Sequence, residues 1–193
     1  MTVKRMKVVA VLGKYYVPKR TGIGDLIFDS GGRLVPDFNA MENLRRLAQI
    51  LHVMLWNIPD VEAGFICPHM NTGRFELLTR IDEDRFQEFY RQLIERSVDA
   101  AILVPNWRDS SGTLKEIKLF NRLDRPVFEE LQSLHAWMKN PWTNHRFNNS
   151  RGEIVDGTTY YISYLPNRTA PALTEQDLWT YDHLDKDCIP QSA

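Results

Sequence analysis

The sequence predicts an α/β protein with a doubly wound, mainly parallel sheet of five strands, and three observations predict it. Short apolar runs, such as residues 7–13 (KVVAVLG) and 100–104 (AAILV), are typical of strands buried on both faces. These runs alternate with segments whose apolar residues recur at helical spacing. Strands that alternate with helices form right-handed βαβ units, which cover both faces of a parallel sheet.

In chain order, each element follows from an apolar run or from helical spacing. Apolar and often β-branched runs predict strands at residues 7–13, 63–67, 100–104, 126–128 and 158–164. Helical spacing predicts helices from the cap Asn39 to Pro59, over about 82–97, over about 113–123 and over 129–138. These elements indicate a three-layer sandwich, Rossmann-like or flavodoxin-like.

The remaining segments carry weaker patterns. Residues 14–39 are expected to be irregular with a small hairpin, and a last helical turn or two is expected over 173–179. No linker divides the 193 residues, so we expect a single domain in which residues 140–193 are a C-terminal extension.

Composition limits the classes of function. The formal net charge is -1, which gives no support for a nucleic-acid polymer as partner. The first apolar run is too short for a signal peptide or a membrane span. The two cysteines and five histidines lack metal-type spacing, so we expect no metal, no cofactor and a reducing, cytoplasmic location.

The loop after the third strand has the strongest functional pattern. Ligands of doubly wound sheets bind outside the carboxyl ends of the strands, where this loop would lie. Asp109, Ser110, Ser111 and Gly112 place hydroxyls and a glycine at a helix N-terminus, where backbone N–H groups favour a phosphate or carboxylate. Glu116 is expected on the first turn of that helix, facing the same crevice.

The same residues have a structural interpretation. Thr113 and Glu116 are spaced as a capping box, in which Thr113 caps the helix and Glu116 reaches back to the Thr113 N–H. Such boxes are common, so spacing alone leaves this alternative open.

The pattern Ser110-x-Gly112-x-x-x-Glu116, after a buried strand that begins with Asp99-Ala100, resembles the nucleoside 2-deoxyribosyltransferase superfamily. It is most similar to the branch of 2'-deoxynucleoside 5'-phosphate N-hydrolases, over roughly residues 7–130. The glycine after the first strand, Gly13, and the Cys67-Pro68-His69 loop are part of the resemblance.

The resemblance implies a double displacement at the anomeric carbon of the sugar. Glu116 would attack C1' and expel the nucleobase, and water or a second base would then resolve the glycosyl-enzyme ester. Ser110 stands where phosphate-specific members have serine and transferases commonly have aspartate, which favours a nucleoside monophosphate as substrate. A homodimer or higher homo-oligomer is also implied.

The sequence departs from the family near the expected nucleophile. Family members usually carry an aspartate where this chain has Arg91. Glu88 and Glu95 lie about one turn away and are candidates to replace that aspartate, although both are also typical solvated helix charges.

Other candidate contacts have structural alternatives. Tyr15 and Tyr16 follow Gly13, where they would contact the base or sugar or pack the loop. His69 and Asn71 belong to the loop after the second strand, and Trp107 would wall the base pocket or cover the sheet end.

Three functions therefore remain open at the level of sequence. The first is hydrolysis of a (deoxy)nucleoside 5'-monophosphate, and the second is base exchange between nucleosides. The third is a non-catalytic nucleotide-binding or sensing module on the same fold.

Overall fold

Six strands and five α-helices lie within residues 6–14, 38–56, 63–68, 83–139, 150–164 and 172–180, which a computed structural model describes. The strands are β1 (Lys7–Leu12), β2 (Ala63–Ile66), β3 (Ala100–Leu103), β4 (Val127–Phe128), β5 (Ser150–Val155) and β6 (Thr158–Ser163). The helices are α1 (Phe38–Trp56), α2 (Glu83–Ser97), α3 (Ser111–Arg122), α4 (Leu131–Lys139) and α5 (Glu175–Thr180), with a 3₁₀ turn at Trp107–Asp109.

The strands form one sheet in the order β2-β1-β3-β4-β6-β5. β1 lies between β2 and β3, and Val9 is opposite Phe65 on one side and Ala100 on the other. Neighbouring strands from β2 to β6 are parallel, whereas β5 is antiparallel to β6. The chain is therefore α/β with a mostly parallel sheet, compatible with a Rossmann-like or flavodoxin-like sandwich.

The sheet has six strands rather than the predicted five, because the sequence analysis does not predict β5. The sequence of β5, SRGEIV, is mostly polar and exposed, so it lacks the apolar run of the buried strands. The turn between β5 and β6 is Asp156-Gly157, in which both residues have positive φ, 49° and 71°. An Asp-Gly pair between two strands is a strong hairpin signal and marks β5 in the sequence.

The core consists of two clusters, one on each face of the sheet, and alternate side chains of β1 belong to one cluster or the other. Val9 and Val11 belong to a cluster with residues of α1 and α4, whereas Ala10 and Leu12 belong to a cluster with residues of α2 and α3. Each of these four side chains is at most 1% exposed, as expected for a strand that is covered on both faces. Because helices cover the faces, ligands reach such a sheet at its strand ends.

The C-terminal part of the chain contributes to the same sheet and core. β5 and β6 pair at the sheet edge, and Leu178 of α5 is buried in the cluster that contains residues of α1. α5 confirms the helical turns expected near residues 173–179. The hairpin expected within 14–39 lies outside the described residues. None of the described helices has both the length and the apolar character needed to cross a membrane.

Candidate functional site

Gly13 lies at the carboxyl edge of the sheet, where β1 and β3 are neighbours. Ligand crevices of such sheets form where the strand order reverses, which in this order is between these two strands. A Cβ built on Gly13 would lie 1.9 Å from Cγ2 of Val104 and 3.2 Å from Cδ2 of Leu44. Because 1.9 Å is far inside van der Waals contact, close packing of this edge requires glycine at residue 13.

Ser110 is the N-cap of α3. Its Oγ accepts a hydrogen bond from the Thr113 backbone N (3.2 Å) and another from Thr113 Oγ1 (3.0 Å). The helix therefore begins at Ser111, and Thr113 lies buried in its first turn. The predicted capping box of Thr113 and Glu116 is therefore wrong. In that box the Glu116 side chain would accept from the Thr113 backbone N–H, but this N–H already donates to Ser110 Oγ. Glu116 consequently lies on the second turn of α3 rather than on the first.

Ser111 and Gly112 are exposed at the N-terminus of this 12-residue helix. The first backbone N–H groups of an α-helix have no partner within the helix, so they are available to an anion. A Cβ built on Gly112 would lie 3.9 Å from Ser110 Oγ, which is ordinary van der Waals contact. Unlike Gly13, Gly112 is therefore not required by packing, and it leaves the helix N-terminus open to close approach.

Glu116 has one buried carboxyl oxygen, Oε2, without a hydrogen bond in the described part of the chain. Parts of the residue keep some exposure. Burial disfavours the charged form and raises the pKa of Glu116 to about 7. At neutral pH the group is therefore divided between its protonated and its ionised form.

Helical geometry directs Glu116 toward the N-terminus of α3 and away from β6. Lys118 lies over the ring of Tyr160, and Asn121 donates a hydrogen bond to the Tyr161 carbonyl, so that side of α3 faces β6. At 100° per residue, Glu116 lies on the other side of the helix, one turn after Gly112. Because helical side chains lean toward the N-terminus, its carboxyl group is inclined toward Gly112.

Glu88 and Glu95 lie on the surface of α2. Arg91 bonds to both, with Nη2 2.6 Å from Glu88 Oε1 and Nη1 2.5 Å from Glu95 Oε1. Hydrogen bonds from Arg91 and Gln92 lower the pKa of Glu88 to about 2. The described side-chain contacts of both glutamates are with these neighbours and with Arg122, not with Glu116.

Trp107 and Asp109 occupy the 3₁₀ turn before α3. Trp107 is 1% exposed, and its ring makes an edge contact with Tyr160 at a centroid separation of 6.4 Å. The side chain of Trp107 thus covers the sheet end as part of the core, whereas Asp109 is exposed. The remaining candidates lie outside the described residues: Tyr15, Tyr16, His69 and Asn71.

Glu129, which the sequence analysis does not select, is the buried centre of a charge cluster after β4. Its side chain is 3% exposed and accepts hydrogen bonds from Trp107 Nε1 (2.5 Å), Arg108 Nη2 (2.9 Å) and Arg151 Nη2 (2.6 Å). Arg108 also bonds to Glu153. The signal for Glu129 is a carboxylate directly after a buried strand, at the edge where ligands bind.

The described residues contain no group of three or more His, Cys, Asp or Glu side chains that could hold a metal ion. No protein-family model, curated protein or solved structure matches this chain. The resemblance of the Ser110, Gly112 and Glu116 motif therefore remains a prediction from sequence.

Proposed function

We propose that the chain hydrolyses the N-glycosidic bond of a (deoxy)nucleoside 5'-monophosphate, with Glu116 as the nucleophile. The observation that carries the proposal is the buried, unpartnered Oε2 of Glu116 on the helix that follows β3. Burying an ionisable group without a hydrogen bond is costly, so a purely structural glutamate is expected to have a partner. Such groups are concentrated at functional sites.

The reaction would proceed in two steps at the same carbon. The Glu116 carboxylate attacks C1', the bond between C1' and the base nitrogen breaks, and the departing base takes up a proton from solvent. Water then attacks C1' of the glycosyl ester and gives up a proton to solvent, which releases the sugar phosphate and returns the carboxylate. This is the sequence of steps in retaining glycosidases.

The N-terminus of α3 supports a phosphate group in the substrate. The backbone N–H groups of Ser111 and Gly112 are available there, and the helix dipole favours an anion. The Ser110 hydroxyl accepts two hydrogen bonds from Thr113, which leaves its own proton to donate to a phosphate oxygen. The inclination of Glu116 toward Gly112 directs the carboxylate to this side of the helix.

A second candidate, a non-catalytic nucleotide-binding module, is favoured by α2. Arg91 occupies the position of the family aspartate, and Glu88 and Glu95 are engaged with it on the helix surface. In this alternative, the N-terminus of α3 still binds a phosphate, but Glu116 performs no chemistry.

We also propose a cytoplasmic location and a homo-oligomer. The cysteine content supports the first and the family resemblance supports the second. Neither enters the argument for the reaction.

A substrate panel tests the proposed reaction. The purified chain is incubated with ribo- and deoxynucleoside 5'-monophosphates and with the matching nucleosides, and released base is measured by chromatography. The hydrolase predicts base release from monophosphates in water alone. Release only after addition of a second base would indicate the transferase, and binding without release across the panel would indicate the binding module.

Ser110→Ala tests the phosphate contact, with Ser111→Ala as the matched loss of a hydroxyl. We expect Ser110→Ala to raise KM for monophosphates about tenfold or more, since hydrogen bonds to charged groups contribute about 1.5–3 kcal/mol. Its preference for monophosphates over nucleosides should fall, whereas Ser111→Ala should keep it. An unchanged preference in Ser110→Ala would contradict a role for Ser110 in binding the phosphate.

A further inference from the structure

A cavity of about 280 Å³ lies over the carboxyl ends of β3 and β4. The residues that line this cavity do not include Ser110, Ser111 or Gly112 at the N-terminus of α3. Its polar lining comes from the loop after β3, from the end of β4 and from the segment before and at the start of α5: Asn106, Arg108, Glu129, Thr174 and Glu175. The half-buried residues Ala172 and Leu173 add apolar surface to the walls.

Specific contacts hold the walls of this cavity together. Asn106 Nδ2 donates to Glu175 Oε1 at 2.6 Å, and Asn43 Nδ2 of α1 approaches the same oxygen at 3.4 Å. The Leu173 backbone N donates to the Glu129 carbonyl at 3.1 Å. The segment that enters α5 is therefore fastened across the ends of β3 and β4.

Asn106 has a backbone conformation that fits this role. Its φ of 65° and ψ of 17° lie in the left-handed region, which asparagine tolerates better than most residues. The turn at Asn106 presents its amide to Glu175 and allows the chain to continue into Trp107 and Arg108.

The charges of the lining select against an anion. Two carboxylates, Glu129 and Glu175, and one guanidinium, Arg108, line the cavity, so its formal charge is −1. Glu129 already accepts three hydrogen bonds, whereas those described for Glu175 both go to Oε1. A small ring that donates hydrogen bonds fits this lining, because apolar walls accept the ring and a carboxylate accepts its N–H groups.

We propose that this cavity binds a nucleobase with an exocyclic amino group: cytosine, adenine or guanine. The proposal rests on the proposed function, in which the phosphate binds at the N-terminus of α3 and the base must bind elsewhere. The volume is just below the usual range of about 300–1,000 Å³ for ligand pockets, which suits a base rather than a whole nucleotide. Uracil and thymine present carbonyl oxygens beside their N–H group, which would oppose the carboxylates.

Binding measurements in a Glu116→Gln background test this proposal, because that change is expected to stop turnover. Calorimetric titration with dCMP, dAMP and dGMP is compared with titration with dUMP and dTMP. We expect at least one amino-substituted nucleotide to bind about tenfold or more tightly than dUMP and dTMP, as one hydrogen bond to a charged group would produce.

Two variants of the cavity make the test specific. Glu175→Gln keeps an acceptor for Asn106 but removes the charge, and it should reduce the preference for the amino-substituted base about tenfold. Ala172→Phe, which fills the cavity from its wall, should abolish that preference. Asp156→Asn in the exposed β5–β6 turn removes one negative charge far along the chain and should leave binding unchanged.

The outcomes separate this proposal from the proposed function. Equal affinities for all five nucleotides, or an unchanged preference in both cavity variants, would overturn the assignment of the cavity. If Ala172→Phe fails to fold, as judged by thermal unfolding, Glu175→Gln decides alone. Base release that persists in Glu116→Gln would overturn the proposed nucleophile, while the binding preference would still support the cavity as the base site.

Discussion

Glu116 and Glu129 are two glutamates with buried carboxyl oxygens, and their surroundings differ completely. Glu129 receives hydrogen bonds from an indole and two guanidinium groups, so both of its carboxylate oxygens have partners. Glu116 Oε2 has no described partner, and burial raises its pKa to about 7. A carboxylate whose hydrogen bonds are satisfied stabilises the local structure, whereas an unsatisfied one retains the capacity to react.

The partners of Glu129 also explain how the site is positioned. Trp107 and Arg108 precede the cap of α3, and Arg151 belongs to β5, so Glu129 joins the loop after β3 to the edge hairpin. Through these contacts, Glu129 fixes the segment that leads to Ser110. These contacts give Glu129 a positioning role, whereas the proposed catalytic role belongs to Glu116.

The largest expected effect on stability comes from removing Glu129. Glu129→Ala would leave the buried Trp107 N–H without its acceptor and would break two ion pairs with half-exposed arginines, which together should cost about 2–4 kcal/mol. The free energy of unfolding, measured by urea denaturation, should fall by that amount. A change below about 1 kcal/mol would show that Glu129 does not hold the loop after β3.

Glu116→Gln should have the opposite effect on stability, and the effect should depend on pH. The pKa of Glu116 is raised from 4.5 to about 7 on folding. Below pH 4.5 the group is protonated in both states and costs nothing. As pH rises from 4.5 to 7, the unfolded chain ionises first and the native protein loses stability; above 7 the full cost, about 3 kcal/mol, is present.

Urea denaturation of both proteins at pH 4 and pH 8 checks this prediction. Glu116→Gln should exceed the parent protein in unfolding free energy by up to about 3 kcal/mol at pH 8 and should match it closely at pH 4. Glu42, whose pKa is lowered by its hydrogen bond from Arg45, is the control of opposite sign: Glu42→Gln should be less stable than the parent protein at pH 8, not more stable. A difference that is the same at both pH values would contradict the raised pKa.

The smallest effects distinguish the two glycines. Gly13→Ala places a methyl group against Val104 and should destabilise the protein by about 1–3 kcal/mol. Gly112→Ala has room for its methyl group and should change unfolding free energy by less than about 1 kcal/mol. The second variant should nevertheless weaken binding of a monophosphate, measured by titration. Equal loss of stability in both variants would remove the distinction between a packing glycine and a binding glycine.

The sequence predicted the buried strands well because their apolar runs do not depend on distant residues. Residues 100–104 are a clear example, since β3 is buried along its whole length. β5 has no such run, because it is an exposed edge strand whose mark is the Asp-Gly turn that follows it. The predicted start of α3, at about residue 113, was two residues too late, because the helix begins at Ser111. Ser110 and Thr113 are both good caps, and spacing does not decide between them.

The candidate site was less accessible from sequence than the fold. The motif of Ser110, Gly112 and Glu116 is local, so its spacing alone places these residues at the cap and on the first two turns of α3. The partners of Glu129 lie 21 and 22 residues away along the chain, on elements that meet only in the folded sheet. Glu88 and Glu95 lie on the surface of α2, where both pair with Arg91. Their spacing in the sequence is equally compatible with a position in the site, so spacing alone could not place them.

The central claim is that Glu116, whose buried Oε2 has no described partner, is the reactive carboxylate, and initial rates of base release test it most directly. Glu116→Gln and Glu42→Gln are compared with the parent protein on the monophosphate that it cleaves best, and acid-quenched samples are analysed by mass spectrometry. The account predicts a loss of about a thousandfold or more in kcat for Glu116→Gln alone, and a sugar phosphate adduct, where one accumulates, on the Glu116 side chain. Base release by Glu116→Gln at the parent rate would contradict it.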